Sequence, residues 1–185
     1  HVLRHSPDLV FVEFAVNGAG ATDKRAIESV EGIVRQIRRH DPKTEVCMVF
    51  TVSKGMLDGL KQGRSPQVVT NMKKVADHYG IPTIDFGPGV ARLVEDGALL
   101  FSGPAPAKDA PAEGPVVFSS DGTHPLDAGH KLYLDAIVRS VPAIKAAGRP
   151  GPHPLPEPLE KDNWENASMV AIDASGVTRS AGWQK

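Results

Sequence analysis

An α/β fold built on a parallel sheet is predicted by two nearly continuous apolar runs and the amphipathic segment that separates them. Pro7 to Val16 reads Pro-Asp-Leu-Val-Phe-Val-Glu-Phe-Ala-Val, bounded by Pro before it and Asn17-Gly18 after it. A run of that kind predicts a strand buried on both faces. Glu45 to Val52 repeats the pattern. Between them Ala26, Ile27, Val30, Ile33, Val34 and Ile37 fall at the three-and-four spacing of one helical face, so the three elements form a βαβ unit.

The other elements follow in order. Thr22 or Asp23 caps the first helix, Arg38, Arg39 and His40 sit near its negative end, and Asp41-Pro42 stops it. The charged run Arg35-Gln36-Ile37-Arg38-Arg39 reads most simply as the wet face of that helix. The loop from Ser53 to Arg64 has room for a short helical turn. Ser65 caps a second helix with Pro66 at its first position, Val68, Val69, Met72, Val75, Ala76 and Tyr79 on its buried face, and Gly80 at its end. Ile81 to Phe86 is a third, shorter strand, and Gly87 to Asp96 holds a helix that packs Val90, Leu93 and Val94. Ser102 to Pro115, rich in Pro, Ala and Gly, reads as an irregular insertion. Val116-Val117-Phe118 is a short apolar run, and a helix from Pro125 to about Ala146 is expected to kink or divide at Pro142.

Gly148 to Pro158 carries Pro150, Pro152, Pro154, Pro156 and Pro158, a spacing no helix or central strand survives. The expected organisation is therefore a domain over residues 1–147, a Pro-rich linker over 148–160 and the start of an incomplete β-rich module over 161–185. In that last segment Trp164 and Trp183 are open to two readings, sugar-stacking platforms or core.

Composition narrows the function classes. A formal net charge of -1 over 185 residues gives no electrostatic case for nucleic acid or an anionic membrane. The single cysteine, Cys47, rules out an internal disulfide framework and lies in an apolar run, as a small buried residue does. No apolar run is long enough to span a bilayer, and the His are scattered without metal-ligand spacing. No cofactor is implied.

Chemistry concentrates in Phe118-Ser119-Ser120-Asp121-Gly122-Thr123-His124-Pro125-Leu126. A carboxylate and an imidazole lie three residues apart at a helix entry. Pro125 suits a first helical position and keeps His124 extended, just outside the helix. A carboxylate that accepts from one ring nitrogen fixes the tautomer and frees the other nitrogen to take a proton from a nucleophile. The same residues also make an ordinary turn, since Asp-Gly-Thr is common turn chemistry. Asn17 is the second feature: it follows the first strand, at the carboxyl end where open parallel sheets place ligands, and its amide can donate to an oxyanion. Asn-Gly is equally a common turn pair.

Taken together, these stretches resemble a family. Val12-Glu13-Phe14-Ala15-Val16-Asn17 looks like the third conserved block of the SGNH hydrolases, the GDSL-like lipases and acylhydrolases, and Asp121-Gly122-Thr123-His124-Pro125 looks like their fifth. The blocks occur in the family's order, and the resemblance covers about His1 to Ala146. It implies a flavodoxin-like three-layer α/β fold with a parallel sheet, and a carboxylic ester hydrolase in which His124 is the general base, Asp121 its orienting carboxylate and Asn17 an oxyanion donor. It also implies a small-molecule or glycan ester as substrate, with no metal or cofactor.

Two departures stand out. Residue 18 is Gly where the family's block usually continues with Asp, and no Gly-Asp-Ser or Gly-x-Ser-x-Gly occurs in the chain. The chain opens on His1, so the expectation is an N-terminally shortened hydrolase whose nucleophile and first strands lie upstream, leaving an apolar edge along Leu9 to Val16. The alternative expectation is a non-catalytic relative that binds glycan through its C-terminal module.

Overall fold

The computed structural model describes residues 2–105 and 116–169. Three parallel strands, β1 (Leu9–Val12), β2 (Glu45–Phe50) and β3 (Thr83–Asp85), form a sheet in the order β1-β2-β3. Leu9 pairs with Glu45 and Met48 with Thr83. Helix α1 (Asp23–His40) crosses from β1 to β2, and α3 (Gln67–Tyr79) from β2 to β3. The chain is therefore a mixed α/β protein on a parallel sheet, as the two apolar runs predict.

Alternation along β2 sorts the core into two halves. Val46, Met48 and Phe50 face α1 and α3, where they meet Val30, Val34, Ile37, Val69, Met72 and Val75. Cys47 and Val49 face the other way, towards α4 (Gly87–Glu95) and α5 (Asp127–Ala147), with Phe86, Val90, Phe118 and Tyr133. A period of two in a strand with helices on both faces produces this double burial.

β1 departs from the expectation of burial on both faces. Val12 packs under α1, but Phe11 is 52% exposed and Leu9 and Phe14 are exposed beside it. The cause is position: β1 is the edge of the sheet, and no described element covers the face opposite α1. The apolar edge anticipated along Leu9 to Val16 is present at these side chains.

Most boundaries follow local chemistry. The Thr22 hydroxyl accepts from the Arg25 N–H at 3.4 Å and caps α1. Gly80, at a φ of 62°, closes α3 in the left-handed conformation that favours glycine. Two helix entries start later than predicted. α3 is capped by Pro66, not Ser65, because Pro66 is itself extended with ψ 144°. Similarly, Pro125 is held against Ser119 in an antiparallel bridge, so α5 starts at Asp127. Pro142 does not divide α5, which runs through it. Pro142 lies on an exposed stretch, where water can bond the Val138 carbonyl that it leaves unpaired. The expected turn in the Ser53–Arg64 loop is a 3₁₀ turn at Lys54–Met56 followed by α2 (Leu57–Lys61).

A second parallel pair, β4 (Leu99–Ser102) with β5 (Val116–Ser119), was not foreseen as a pair. Phe101 and Phe118 stack across it with centroids 4.7 Å apart and extend the α4/α5 core. Most of the expected Ser102–Pro115 insertion, and the anticipated strands from Val170 to Trp183, lie outside the described residues.

The Pro-rich stretch carries no helix or strand from Gly148 to Asn163, and its backbone is bound to α1 and α3. Arg38 donates to the Pro154 carbonyl at 2.8 Å and to the Tyr79 carbonyl at 2.6 Å; Arg35 donates to the Pro156 carbonyl at 2.7 Å. Glu31, fully buried, accepts from the Tyr79 hydroxyl at 2.7 Å and from the Leu159 and Glu160 N–H groups at 2.6 and 2.8 Å. A 3₁₀ turn at Trp164–Asn166 then seats on Gly32, where a Cβ would lie 2.6 Å from the Trp164 carbonyl carbon. These contacts correct the reading of Arg35 and Arg38 as a wet face. Both are buried beneath residues 154–165, and Glu165 pairs with Arg35 at 2.6 Å.

Candidate active site

The loop from β5 to α5 is closed at its base before it presents anything to solvent. Ser119 bridges Pro125, and the Leu126 N–H donates to the Phe118 carbonyl at 2.7 Å. Gly129, in the first turn of α5, has no room for a side chain: a Cβ there would lie 2.8 Å from the Phe118 carbonyl oxygen. Gly122 takes a φ of 84°, which its missing Cβ permits.

At the tip of this loop the sequence pair meets as expected: His124 Nδ1 lies 2.6 Å from Asp121 Oδ2. The other carboxylate oxygen is held by the loop itself, since Asp121 Oδ1 accepts from the Thr123 and His124 N–H groups, each at 2.8 Å, and from the Ser119 hydroxyl at 3.0 Å. The His124 side-chain hydrogen bond, followed by these N–H groups, holds the Asp121 carboxyl well below the usual carboxylate range. An ionised carboxylate only accepts, so Nδ1 carries the ring proton and Nε2 keeps the free lone pair. For linkage, a depressed carboxyl contributes stability that is present above the unfolded value of about 3.9 and is lost as the pH falls through the lower folded value. The pair is open to solvent, with side-chain exposures of 83% for His124 and 53% for Asp121.

Asn17 lies in the exposed turn that follows β1. The turn is tight. The Gly18 N–H donates to the Phe14 carbonyl at 2.8 Å, and a Cβ on residue 18 would meet that oxygen at 2.7 Å. Glycine at position 18 is thus what this turn has space for.

The end of β2 links the Asn17 turn to the Asp-His loop. Glu13 accepts from the Thr51 hydroxyl at 2.7 Å and from the Ala15 N–H at 2.8 Å, which ties the start of the Asn17 turn to β2. Three residues after Thr51, the Lys54 N–H donates to the Gly122 carbonyl at 2.8 Å. Tyr133 of α5 accepts from the Val52 N–H at 3.1 Å, and burial pushes its hydroxyl up to about 12, so it stays protonated. Asn17 and the Asp121–His124 pair therefore both border the carboxyl edge of the parallel sheet, where such sheets place ligands.

Glu13, Lys54, Tyr133 and Ser119 were not singled out for these roles. Glu13 and Ser119 stood inside motifs, but nothing in the spacing of Ser119 distinguishes a buried hydroxyl from the exposed Ser120 beside it. His130 lies exposed on α5 and is not among the hydrogen-bond partners of the Asp-His pair. Among the described residues no group of three His, Cys, Asp or Glu side chains is placed to hold a metal ion, and no helix is long and apolar enough to cross a membrane.

A carboxylate hydrogen-bonded to an imidazole beside the carboxyl edge of a parallel α/β sheet is a geometry that acyl-transfer hydrolases use. Comparison with known families agrees. The model of the GDSL-like Lipase/Acylhydrolase family matches residues 1–132, and the chain belongs to that family. The match spans the Asn17 turn, the Asp121–His124 pair and the first turns of α5. No curated protein and no solved structure matches the chain.

Proposed function

We propose that this chain supplies the general base, its orienting carboxylate and an oxyanion donor to a serine ester hydrolase. In the acylation step, Nε2 of His124 takes the proton of a Ser hydroxyl as its oxygen attacks the ester carbonyl. Asp121 holds the imidazolium that forms, and the Asn17 amide donates to the oxyanion of the tetrahedral intermediate. Collapse of that intermediate breaks the ester bond, and the alcohol leaves with the proton from His124. Water then attacks the acyl-Ser with His124 again as base, which releases the carboxylic acid and restores the Ser.

The observation that carries this reading is the 2.6 Å contact between Asp121 Oδ2 and His124 Nδ1, on an exposed loop at the sheet's carboxyl edge in a member of this family. Since these 185 residues contain no Gly-Asp-Ser, the proposed nucleophile is a Ser encoded N-terminal to His1. The proposed substrate is a small-molecule or glycan ester, with a carbohydrate acetate the first to try on the strength of the β-rich module expected from the sequence after residue 160.

The test is labelling of the full-length gene product with a fluorophosphonate probe, with the labelled residue mapped. Labelling of an upstream Ser, lost in His124→Ala, is the expected result. The absence of Gly-Asp-Ser favours the second reading, a non-catalytic relative that binds glycan. Failure of any Ser to label would decide for that reading.

A further inference from the structure

The hydroxyl of Ser119 occupies a place that the catalytic scheme does not use. Ser119 is the last residue of β5 and is fully buried. Its Oγ donates to Asp121 Oδ1 at 3.0 Å and accepts from the Gly122 N–H at 2.9 Å and the Asp121 N–H at 3.3 Å. A hydroxyl has one donor and two acceptor lone pairs, so these contacts use its full capacity. A group so enclosed, with its proton given to a carboxylate and no route to solvent, is not a nucleophile.

We propose that Ser119 is a positioning residue of the Asp-His pair: its hydroxyl clamps Asp121 Oδ1 into the loop so that Oδ2 alone faces His124 Nδ1. This rests on the reading of His124 as general base. The geometry divides the carboxylate between two tasks. Oδ1 has Ser119, Thr123 and the His124 N–H as partners, and Oδ2 has the imidazole. Of those partners, Ser119 is the only side chain, and it alone reaches the carboxylate from the strand. Thr123 and His124 move with the loop, whereas Ser119 is fixed by pairing with Ser102 in β4 and with Pro125. The hydroxyl thereby transmits the rigidity of the sheet to an exposed carboxylate. An aliphatic residue would also leave the buried Gly122 N–H without a partner, loosening the turn that sets the spacing between Asp121 and His124.

The test compares Ser119→Ala with Ser119→Thr, which keeps the hydroxyl. In the 185-residue chain, carbon NMR follows the titration of the Asp121 carboxyl and proton NMR follows the His124 Nδ1–H. The expected result for Ser119→Ala is a carboxyl titration displaced towards the ordinary carboxylate value and a weakened Nδ1–H signal, both restored in Ser119→Thr. In the full-length enzyme kcat should fall about tenfold with KM unchanged, well short of the roughly 10⁴-fold loss expected when the carboxylate itself is replaced. A lower melting temperature with an unmoved Asp121 titration would reduce Ser119 to a structural residue and overturn the proposal. So would a displaced titration with undiminished kcat. If Ser119→Ala does not fold, Ser119→Cys, a weaker donor, is expected to displace the Asp121 titration part of the way towards the ordinary carboxylate value, and a wild-type titration in Ser119→Cys would equally overturn it. Loss of the base assignment itself would show separately, as full activity in His124→Ala.

Discussion

The two faces of the sheet are finished in opposite ways. On the α1/α3 face the apolar core is roofed by a second, polar layer in which Glu31, Arg35 and Arg38 are bound to the backbone of residues 154–160 and the Tyr79 hydroxyl joins Glu31 to Arg35. On the α4/α5 face the core thins out towards the edge strand. Phe11 is exposed there, and α5 carries an apolar stripe in which Leu134 and Val138 are 57% and 61% exposed. Between them lies an open trough of about 360 Å³ lined by Phe11, Val49, Thr51, Phe86, Tyr133 and Leu134. The candidate catalytic pair belongs to the end of the molecule that this open face shares. The docked polar layer and the candidate site thus lie in different parts of the molecule, and the contrast can be broken from either side.

Replacing His124, the proposed catalytic base, is expected to give the largest effect on function. The largest effect on stability is expected from the closed face. Glu31→Ala removes a fully buried carboxylate and leaves the Tyr79 hydroxyl and the Leu159 and Glu160 N–H groups without their acceptor. A cost of about 3–5 kcal/mol is expected from urea unfolding, since breaking a buried charged network strands every partner. A loss below about 1 kcal/mol would mean that residues 154–160 do not stay docked in solution.

Gly32→Ala comes next. In an exposed helix interior this change would stabilise by about 1 kcal/mol. Here the new Cβ would lie 2.6–2.8 Å from Trp164, so the turn at 164–166 must lift from α1. The expected outcome is a net destabilisation of about 1–2 kcal/mol with faster hydrogen exchange at Leu159 and Glu160. Stabilisation instead would contradict the seating of Trp164 on α1.

The smallest effect is expected on the open face. Leu134→Lys should change stability by less than about 0.5 kcal/mol while raising the concentration at which the chain stays monodisperse in light scattering. A large destabilisation would show that this stripe is covered.

The same contrast governs what was legible in the sequence. The βαβ unit, the Thr22 cap, the Gly80 terminus and the Asp121–His124 contact all depend on residues close in sequence or on simple periodicity, and all are seen. The roof over α1 was not legible. Arg35 and Arg38 have the spacing of a wet helical face, and nothing local shows that their partners lie more than a hundred residues later. Five alternating prolines told correctly that no helix or strand forms there, but not where the carbonyls between them bind. β4 was missed because Leu99–Ser102 is four residues long, too short for a periodicity to declare itself. The one-faced exposure of β1 follows from its place at the edge, which an apolar run does not encode. For the candidate site, the motif contained both members of the pair but gave no sign that Ser119 is buried behind them.

If chemistry lies on the exposed edge and stability under the roof, one paired measurement addresses both: ester hydrolysis and thermal unfolding of the full-length His124→Ala protein. His124 is 83% exposed and Asp121 keeps its loop partners without it, so the expected result is loss of turnover by about 10³-fold or more with a melting temperature within about 2 °C of wild type. Turnover retained at the wild-type level would rule out His124 as the general base.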